Sequence, residues 1–180
     1  MSKMLSEIIG SEQKNLSKKI KSSDCDEPKS NRKLQQIKSK KRVRERGEVF
    51  TNPREVKSMC DLIPADVLEN IDSTFLEPTC GNGNFLVEIL ERKLKLCKEP
   101  KDITRALKSI YAIDIMQDNV EESRKRLIEL CSAKCVEFTT DYLQIADVMA
   151  DCIETLQNNI VCGDSLEIMK NMEDKGEKHG

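Results

Sequence analysis

The sequence predicts an α/β fold built on a parallel sheet, and three observations carry that expectation. Short apolar runs that read as strands, "STFL" (73–76), "SIYAI" (109–113) and "NIVC" (159–162), alternate with longer runs of helical period. Each run ends in a polar cluster: Glu77 with a glycine turn, then Asp114, then Gly163-Asp164. The first cluster, "LEPTCGNGNFL" (76–86), has the form of a strand end, a tight turn and a helix start, with Gly81 and Gly83 supplying the turn.

The other elements follow in chain order. Residues 1–46 read as a basic, partly helical N-terminal extension. Within it, 1–21 has weak helical periodicity (Met4, Leu5, Ile8, Ile9, Leu16, Ile20), and "SSDCDEPKS" (22–30) reads as a linker. Residues 31–46 hold eight cations (Arg32, Lys33, Lys38, Lys40, Lys41, Arg42, Arg44, Arg46) against Glu45 alone. That run is either a solvated helix face or an arm that contacts phosphates without reading sequence. Residues 47–172 read as the α/β domain. Asn52 can cap a helix and Pro53 fits its first position, and this helix places Val56, Met59, Cys60 and Ile63 on one face before Pro64 stops it. A short helical stretch at 65–70 precedes the first strand. A helix over 83–95 turns Phe85, Leu86, Ile89, Leu90 and Leu94 inward. "EPKD" (99–102) reads as a connector before a helical turn at 103–107, and 95–108 as a surface insertion. Helices over 117–131 and 142–156 and one from Leu166 complete the pattern, and 173–180 reads as a polar tail.

Composition narrows the function. Charged residues are 34% against 38% hydrophobic, so part of the chain is expected to lie outside the core. A net charge of −2 gives no global attraction to nucleic acid, and any such attraction must be local. Aromatics are 3% with no Trp, which argues against a base-stacking platform in this segment. The eight cysteines form no C-x-x-C pair and the only histidine is His179, so zinc spacing is absent. Several cysteines stand in apolar runs as small hydrophobes. The N-terminal residues have no run long enough for a signal peptide or a membrane span. The expectation is a reduced, cytoplasmic protein with no membrane association.

The polar strand ends carry the chemistry. In an open parallel sheet, ligands bind where the strands end at their carboxyl edge. Gly81 and Gly83 let backbone approach a ligand, and the helix after them offers free N–H groups. A dinucleotide site would want a third glycine where Leu86 stands, and a nucleoside-triphosphate loop would want Lys where Asn84 stands. Asp114 can accept hydrogen bonds from a ribose diol, and Asp164 can accept one from an exocyclic amine such as adenine N6. Each feature also has a plain structural reading, an ordinary turn or a helix cap. Together they describe a pocket for an adenosine with a carboxylate-bearing tail and little phosphate, which is the character of S-adenosylmethionine.

Four segments in one order carry a resemblance: "RGEVFTNPREVKSMCDLI" (46–63), "FLEPTCGNGNFL" (75–86), "IYAIDIMQDNV" (110–120) and "NIVCGDSLE" (159–167). The chain resembles, over about residues 46–168, the S-adenosylmethionine-dependent DNA adenine-N6 methyltransferases of restriction–modification systems. The second segment is similar to their glycine loop, (D/E)-P-x-C-G-x-G-x-F-L, here with Glu77, Pro78 and Cys80 ahead of Gly81 and Gly83. The resemblance implies a Rossmann-like methyltransferase sheet with S-adenosylmethionine as cofactor. It implies that Phe50 and Thr51 line the methionine tail, with Glu77 near its amino group and Gly81 and Gly83 as the floor. Asp114 would hold the ribose, Ile115 would pack on the adenine, and Asp164 would bind adenine N6.

The family's catalytic motif, (D/N/S)-P-P-(Y/F), which receives the flipped adenine, does not occur: none of the five prolines adjoins another. The expectation is therefore a C-terminally truncated sheet, the cofactor-binding portion only, inactive alone and with no catalytic residue of its own. DNA would be engaged through a C-terminal target-recognition region outside this sequence and through the basic segment 31–46. A separate catalytic or specificity chain is a further expected partner. The alternative is a non-catalytic, methyltransferase-like binding or regulatory subunit. A small-molecule or RNA methyltransferase fits less well, because of the Phe-Thr segment ahead of the glycine loop.

Overall fold

Three short strands run parallel in the order β1 (Phe75–Glu77), β2 (Ile110–Asp114), β3 (Ile160–Cys162), with β2 central. A computed structural model describes residues 36–176, with side chains as far as Asn171. The periodicity at 1–21, the linker at 22–30, Arg32 and Lys33 of the basic run, and residues 177–180 lie outside the described residues. Register pairs Leu76 with Tyr111 and Glu77 with Ala112, then Ala112 with Ile160 and Asp114 with Cys162. Each connection is helical, which is what parallel pairing requires.

The helices are α1 (Lys40–Arg46), α2 (Pro53–Cys60), α3 (Ala65–Leu68), α4 (Asn84–Leu94), α5 (Pro100–Lys108), α6 (Gln117–Phe138), α7 (Tyr142–Asn159) and α8 (Ser165–Gly176). The arrangement is mixed α/β, a small parallel sheet with flanking helices, consistent with part of a Rossmann-like fold. Residues of α4, α5, α6 and α7 bury Leu90, Ile103, Leu107, Val120, Leu127 and Cys152 together with Ile110, Ala112 and Ile160 of the sheet. Leu76 and Tyr111, side by side on adjacent strands, are 50% and 41% exposed. Among the described residues the sheet is therefore covered mainly on one face.

Local chemistry explains where the helices start. The Asn52 side chain accepts a hydrogen bond from the Arg54 amide at 2.9 Å, and Pro53 occupies the first turn, where its missing N–H costs nothing. Asp141 caps α7 by accepting from the Leu143 amide at 2.9 Å. In α6 the buried side chains Val120, Ser123, Leu127, Cys131 and Cys135 recur every three or four residues. That stripe carries the helix to Phe138, seven residues beyond its expected end.

One expectation is corrected. Residues 95–108 are not a surface insertion. Pro100 begins α5, and Ile103, Thr104, Ala106 and Leu107 are buried in the core against α7. "EPKD" is a helix start with proline in its first turn and Asp102 beside it, not a connector.

Six of the seven described cysteines are buried and unpaired, and Cys162 is exposed. No described helix is long and apolar enough to cross a membrane. No metal-binding group of three or more His, Cys, Asp or Glu occurs among the described residues.

Lys93, on α4, is 2% exposed, and its ammonium donates to the carbonyls of Ile71 at 2.8 Å and Ser73 at 2.7 Å. It ties the turn before β1 to α4. Burial pushes this lysine down to about 8, while the nearby Asp72 charge works in the opposite direction.

The basic segment is partly consumed internally. Lys38 donates to Asp118 at 2.9 Å and Asn119 at 2.8 Å, and pairs with Glu122 at 2.7 Å. Arg42 donates to Asp118 at 2.5 Å and to Glu48 at 2.5 and 3.0 Å. Hydrogen bonds from Arg42 and then Lys38 hold the Asp118 carboxyl down at about 2. These bonds fix α1 beside the N-terminus of α6. Lys40, Lys41, Arg44 and Arg46 remain exposed.

Candidate functional site

The carboxyl edge of the sheet holds Glu77 and Asp114 at the ends of β1 and β2, with Asp164 two residues past β3. The Cys80 amide donates to the Ile113 carbonyl at 2.9 Å, and the Gly163 amide to the Asp114 carbonyl at 3.0 Å. The glycine turn and the β3 end are thereby both tied to the end of β2.

Two glycines of the turn have left-handed backbone, Gly81 at φ 52° and Gly83 at φ 80°. A Cβ on Gly81 would stand 3.1 Å from two ring carbons of Phe50, and one on Gly83 would stand 2.7 Å from Ser123 Oγ. The space a side chain would need is thus filled from within, by Phe50 on one side and α6 on the other. Lys38 Nζ lies 5.9 Å from the Phe50 ring centre, so that ring is held between a cation and the turn. Asn84 donates to the Thr51 carbonyl at 2.7 Å, and Arg126 donates to the Asn82 carbonyl at 2.5 Å and to Asn84 Oδ1 at 2.9 Å. This network holds the Phe50-Thr51 segment against the turn.

Asp114 is 9% exposed and accepts three internal hydrogen bonds: Gly81 N at 2.8 Å, Met116 N at 2.9 Å and Asn119 Nδ2 at 3.1 Å. Through the Gly81 amide it organises the glycine turn. Asp164 is exposed and caps α8, accepting from the Leu166 amide at 2.9 Å. Glu77 accepts only long hydrogen bonds from Thr79, at 3.3 and 3.4 Å. Burial, reinforced by the Asp114 charge, pushes the buried Cys80 thiol up to about 12, away from the thiolate form that a nucleophile needs.

A cleft of about 380 Å³ lies at this edge, lined among others by Glu48, Pro78, Asp114, Ile115, Asp164 and Leu166. Its size is within the range of small-molecule sites. Of the residues singled out in the sequence, Pro78, Asp114, Ile115 and Asp164 meet in this cleft. Phe50 and Thr51 line a separate recess of about 250 Å³ together with Asn82, Asn84 and Arg126. Glu77 lines a third, apolar groove with Met59, Ile63, Leu76 and Phe85. Cys80, Gly81 and Gly83 form the structure between them. Sequence reasoning missed Glu48, Asn84, Asn119, Ser123 and Arg126. Their roles come from partners 42 to 81 positions away in several cases, such as Ser123 Oγ to the Gly81 carbonyl at 3.1 Å and Lys38 to Asn119 at 2.8 Å.

A cleft at the carboxyl ends of parallel strands, beside a glycine turn and lined by the carboxylates Asp114 and Asp164, is where open α/β sheets of the Rossmann-like kind place small-molecule ligands. Comparison with known proteins adds a sequence match. Over 84 residues the chain is 39% identical to the Type II methyltransferase M.VspI of Vibrio sp. (strain 343). The match covers 46% of this chain and 17% of that protein, so the chain spans a minor part of its relative's length. No family model matches the chain, and no solved structure matches it.

Proposed function

We propose that the chain is the cofactor-binding portion of a site-specific DNA adenine-N6 methyltransferase of the restriction–modification type. One observation carries this reading: Asp114, Ile115 and Asp164 line a single cleft beside the glycine turn. The methyltransferase relationship adds support.

The residues present fit S-adenosylmethionine. A buried carboxylate oxygen of Glu48 at the cleft has no hydrogen-bond partner, and the cleft offers acceptors and an apolar wall with few fixed cations. Asp114, with three donors already bound, keeps one acceptor position for a ribose hydroxyl. Ile115, 49% exposed at the cleft, provides the apolar surface for the adenine ring. Asp164 is assigned to the exocyclic amine. Phe50, Thr51 and Glu77, which line the recess and the groove outside the cleft, are assigned to the methionine end, with Pro78, Cys80, Gly81 and Gly83 shaping the turn. The bound cofactor supplies an electrophilic methyl group on a sulfonium; these residues bind and orient it. DNA is the proposed substrate, and the exposed Lys40, Lys41, Arg44 and Arg46 are the described cations of the basic segment left at the surface to meet phosphates. Residues 47–172 are the proposed cofactor-binding domain. The buried, unpaired cysteines fit a reducing cytoplasm.

Titration calorimetry of the full chain with S-adenosylmethionine tests the reading. The wild type is expected to bind, and Asp164→Ala to bind roughly tenfold more weakly through loss of one hydrogen bond to the adenine. No heat of binding in the wild type refutes the assignment.

A further inference from the structure

We propose that Glu48 is a second ligand-binding carboxylate of the cleft, receiving one hydroxyl of a vicinal diol while Asp114 receives the other. The inference rests on the reading that this cleft takes an adenosine ligand.

Glu48 lies just past α1, and its side chain is 10% exposed. Its two oxygens differ sharply. Oε2 accepts from Arg42 Nε at 3.0 Å, Arg42 Nη2 at 2.5 Å and Asn119 Nδ2 at 3.1 Å. Oε1 is buried and has no hydrogen-bond partner, the one side-chain atom in that state among the described residues. Buried acceptors are nearly always satisfied, and a charged one left empty is costly. Glu48 also lines the cleft that Asp114 and Asp164 line.

Acceptor capacity explains why a second carboxylate is needed. A carboxylate offers about four acceptor positions. Asp114 has three filled by Gly81, Met116 and Asn119. It can take one hydroxyl of a diol but not both in good geometry. Asn119 Nδ2 donates to Asp114 Oδ1 and Glu48 Oε2, each at 3.1 Å, so one amide fixes the two carboxylates relative to each other. The two hydroxyls of a ribose diol are then assigned to the remaining position on Asp114 and to the buried, empty Oε1 of Glu48, which a small opening of the cleft wall would bring within the ligand's reach.

Glu48→Gln is an informative change because its orientation is dictated. Arg42 and Asn119 both donate toward Oε2, so the amide oxygen must occupy that position. The amide nitrogen then sits at Oε1, where it can only donate to the hydroxyl oxygen, a neutral bond in place of the charge-assisted one that the carboxylate accepts. The experiment is calorimetry on the full chain with S-adenosylhomocysteine and its 2′-deoxy and 3′-deoxy forms. Glu48→Gln is expected to weaken the parent ligand roughly tenfold or more, the loss for one charge-assisted hydrogen bond. It should leave unchanged the affinity for whichever deoxy form lacks the hydroxyl paired with Glu48. Equal weakening for all three ligands would mean that Glu48 only anchors Arg42, and overturns the proposal. So does parent affinity within about twofold of wild type. Wild type that binds none of the three refutes the cofactor reading itself, and this inference with it; wild type that binds while Glu48→Gln binds equally well refutes this inference alone.

Discussion

Replacing Gly83 by alanine puts a number on how the glycine turn is built. At φ 80° an alanine costs about 1 kcal/mol or somewhat more in backbone conformation alone. Its Cβ would sit 2.7 Å from Ser123 Oγ, 3.0 Å from Ser123 Cβ and 3.3 Å from Ser123 Cα. The hydroxyl could swing away, but it would lose its 3.1 Å bond to the Gly81 carbonyl, about 1 kcal/mol more. Crowding against the Ser123 main chain cannot be relieved without moving α6, and overpacking of this kind costs about 1–3 kcal/mol. The combined loss is roughly 3–5 kcal/mol, a large part of the stability of a small domain. With a urea dependence near 2 kcal/mol per molar, the unfolding midpoint should fall by about 1.5–2.5 M. Ser123→Ala provides the internal control. Alone it should destabilise by about 1 kcal/mol through the lost hydrogen bond, whereas in the Gly83→Ala background it should restore part of the loss. A Gly83→Ala midpoint within about 0.3 M of wild type would refute the packing account. So would a Ser123→Ala effect of the same sign and size in both backgrounds.

Two further outcomes concern buried and paired charge. Lys93, at about 8 in the folded protein and near 10.4 when unfolded, binds fewer protons folded than unfolded between those values. Stability relative to Lys93→Met should therefore rise as pH increases from about 8 to 10, read from paired urea titrations; a flat difference would contradict it. Asp118 behaves in the opposite sense. Its carboxyl, held at about 2, contributes stability above pH 4 that is lost as pH falls from about 4 toward 2. Because the group is half exposed, the effect is local and salt-sensitive: α1 amides should lose hydrogen-exchange protection over that range, and Asp118→Asn should show the loss already at about pH 6.

What could be read from the sequence was local. The Asn52-Pro53 start, the strand-end acids and the glycine turn each announce themselves within a few residues, and the structure has a cap, three parallel strands and two left-handed glycines at those places. α5 escapes a local reading because "EPKD" has the composition of a linker, while burial of Ile103 and Leu107 depends on α7, which follows much later in the chain. The full extent of α6 escapes it because Cys131 and Cys135 do not look like core residues until a neighbouring helix covers them. Lys93 could not be recognised as buried, since a lysine side chain gives no sign of the three carbonyls gathered around it. At the site, the two glycines suggested ligand approach, yet their immediate neighbours are Phe50 and Ser123, brought there by tertiary packing. The segregation of the candidate residues into a cleft and two recesses was equally invisible in one dimension.

The clamp of Lys38 and Arg42 on Asp118 bears on the order of assembly. These pairs join positions 80 and 76 apart in the chain. Closing so long a loop is entropically unfavourable, and two surface ion pairs return little until β1 through α6 is already in place. Docking of α1 is therefore expected in the last stage of folding, after the rate-limiting barrier. Changes in the clamp should alter how fast the protein comes apart and leave nearly untouched how fast it forms.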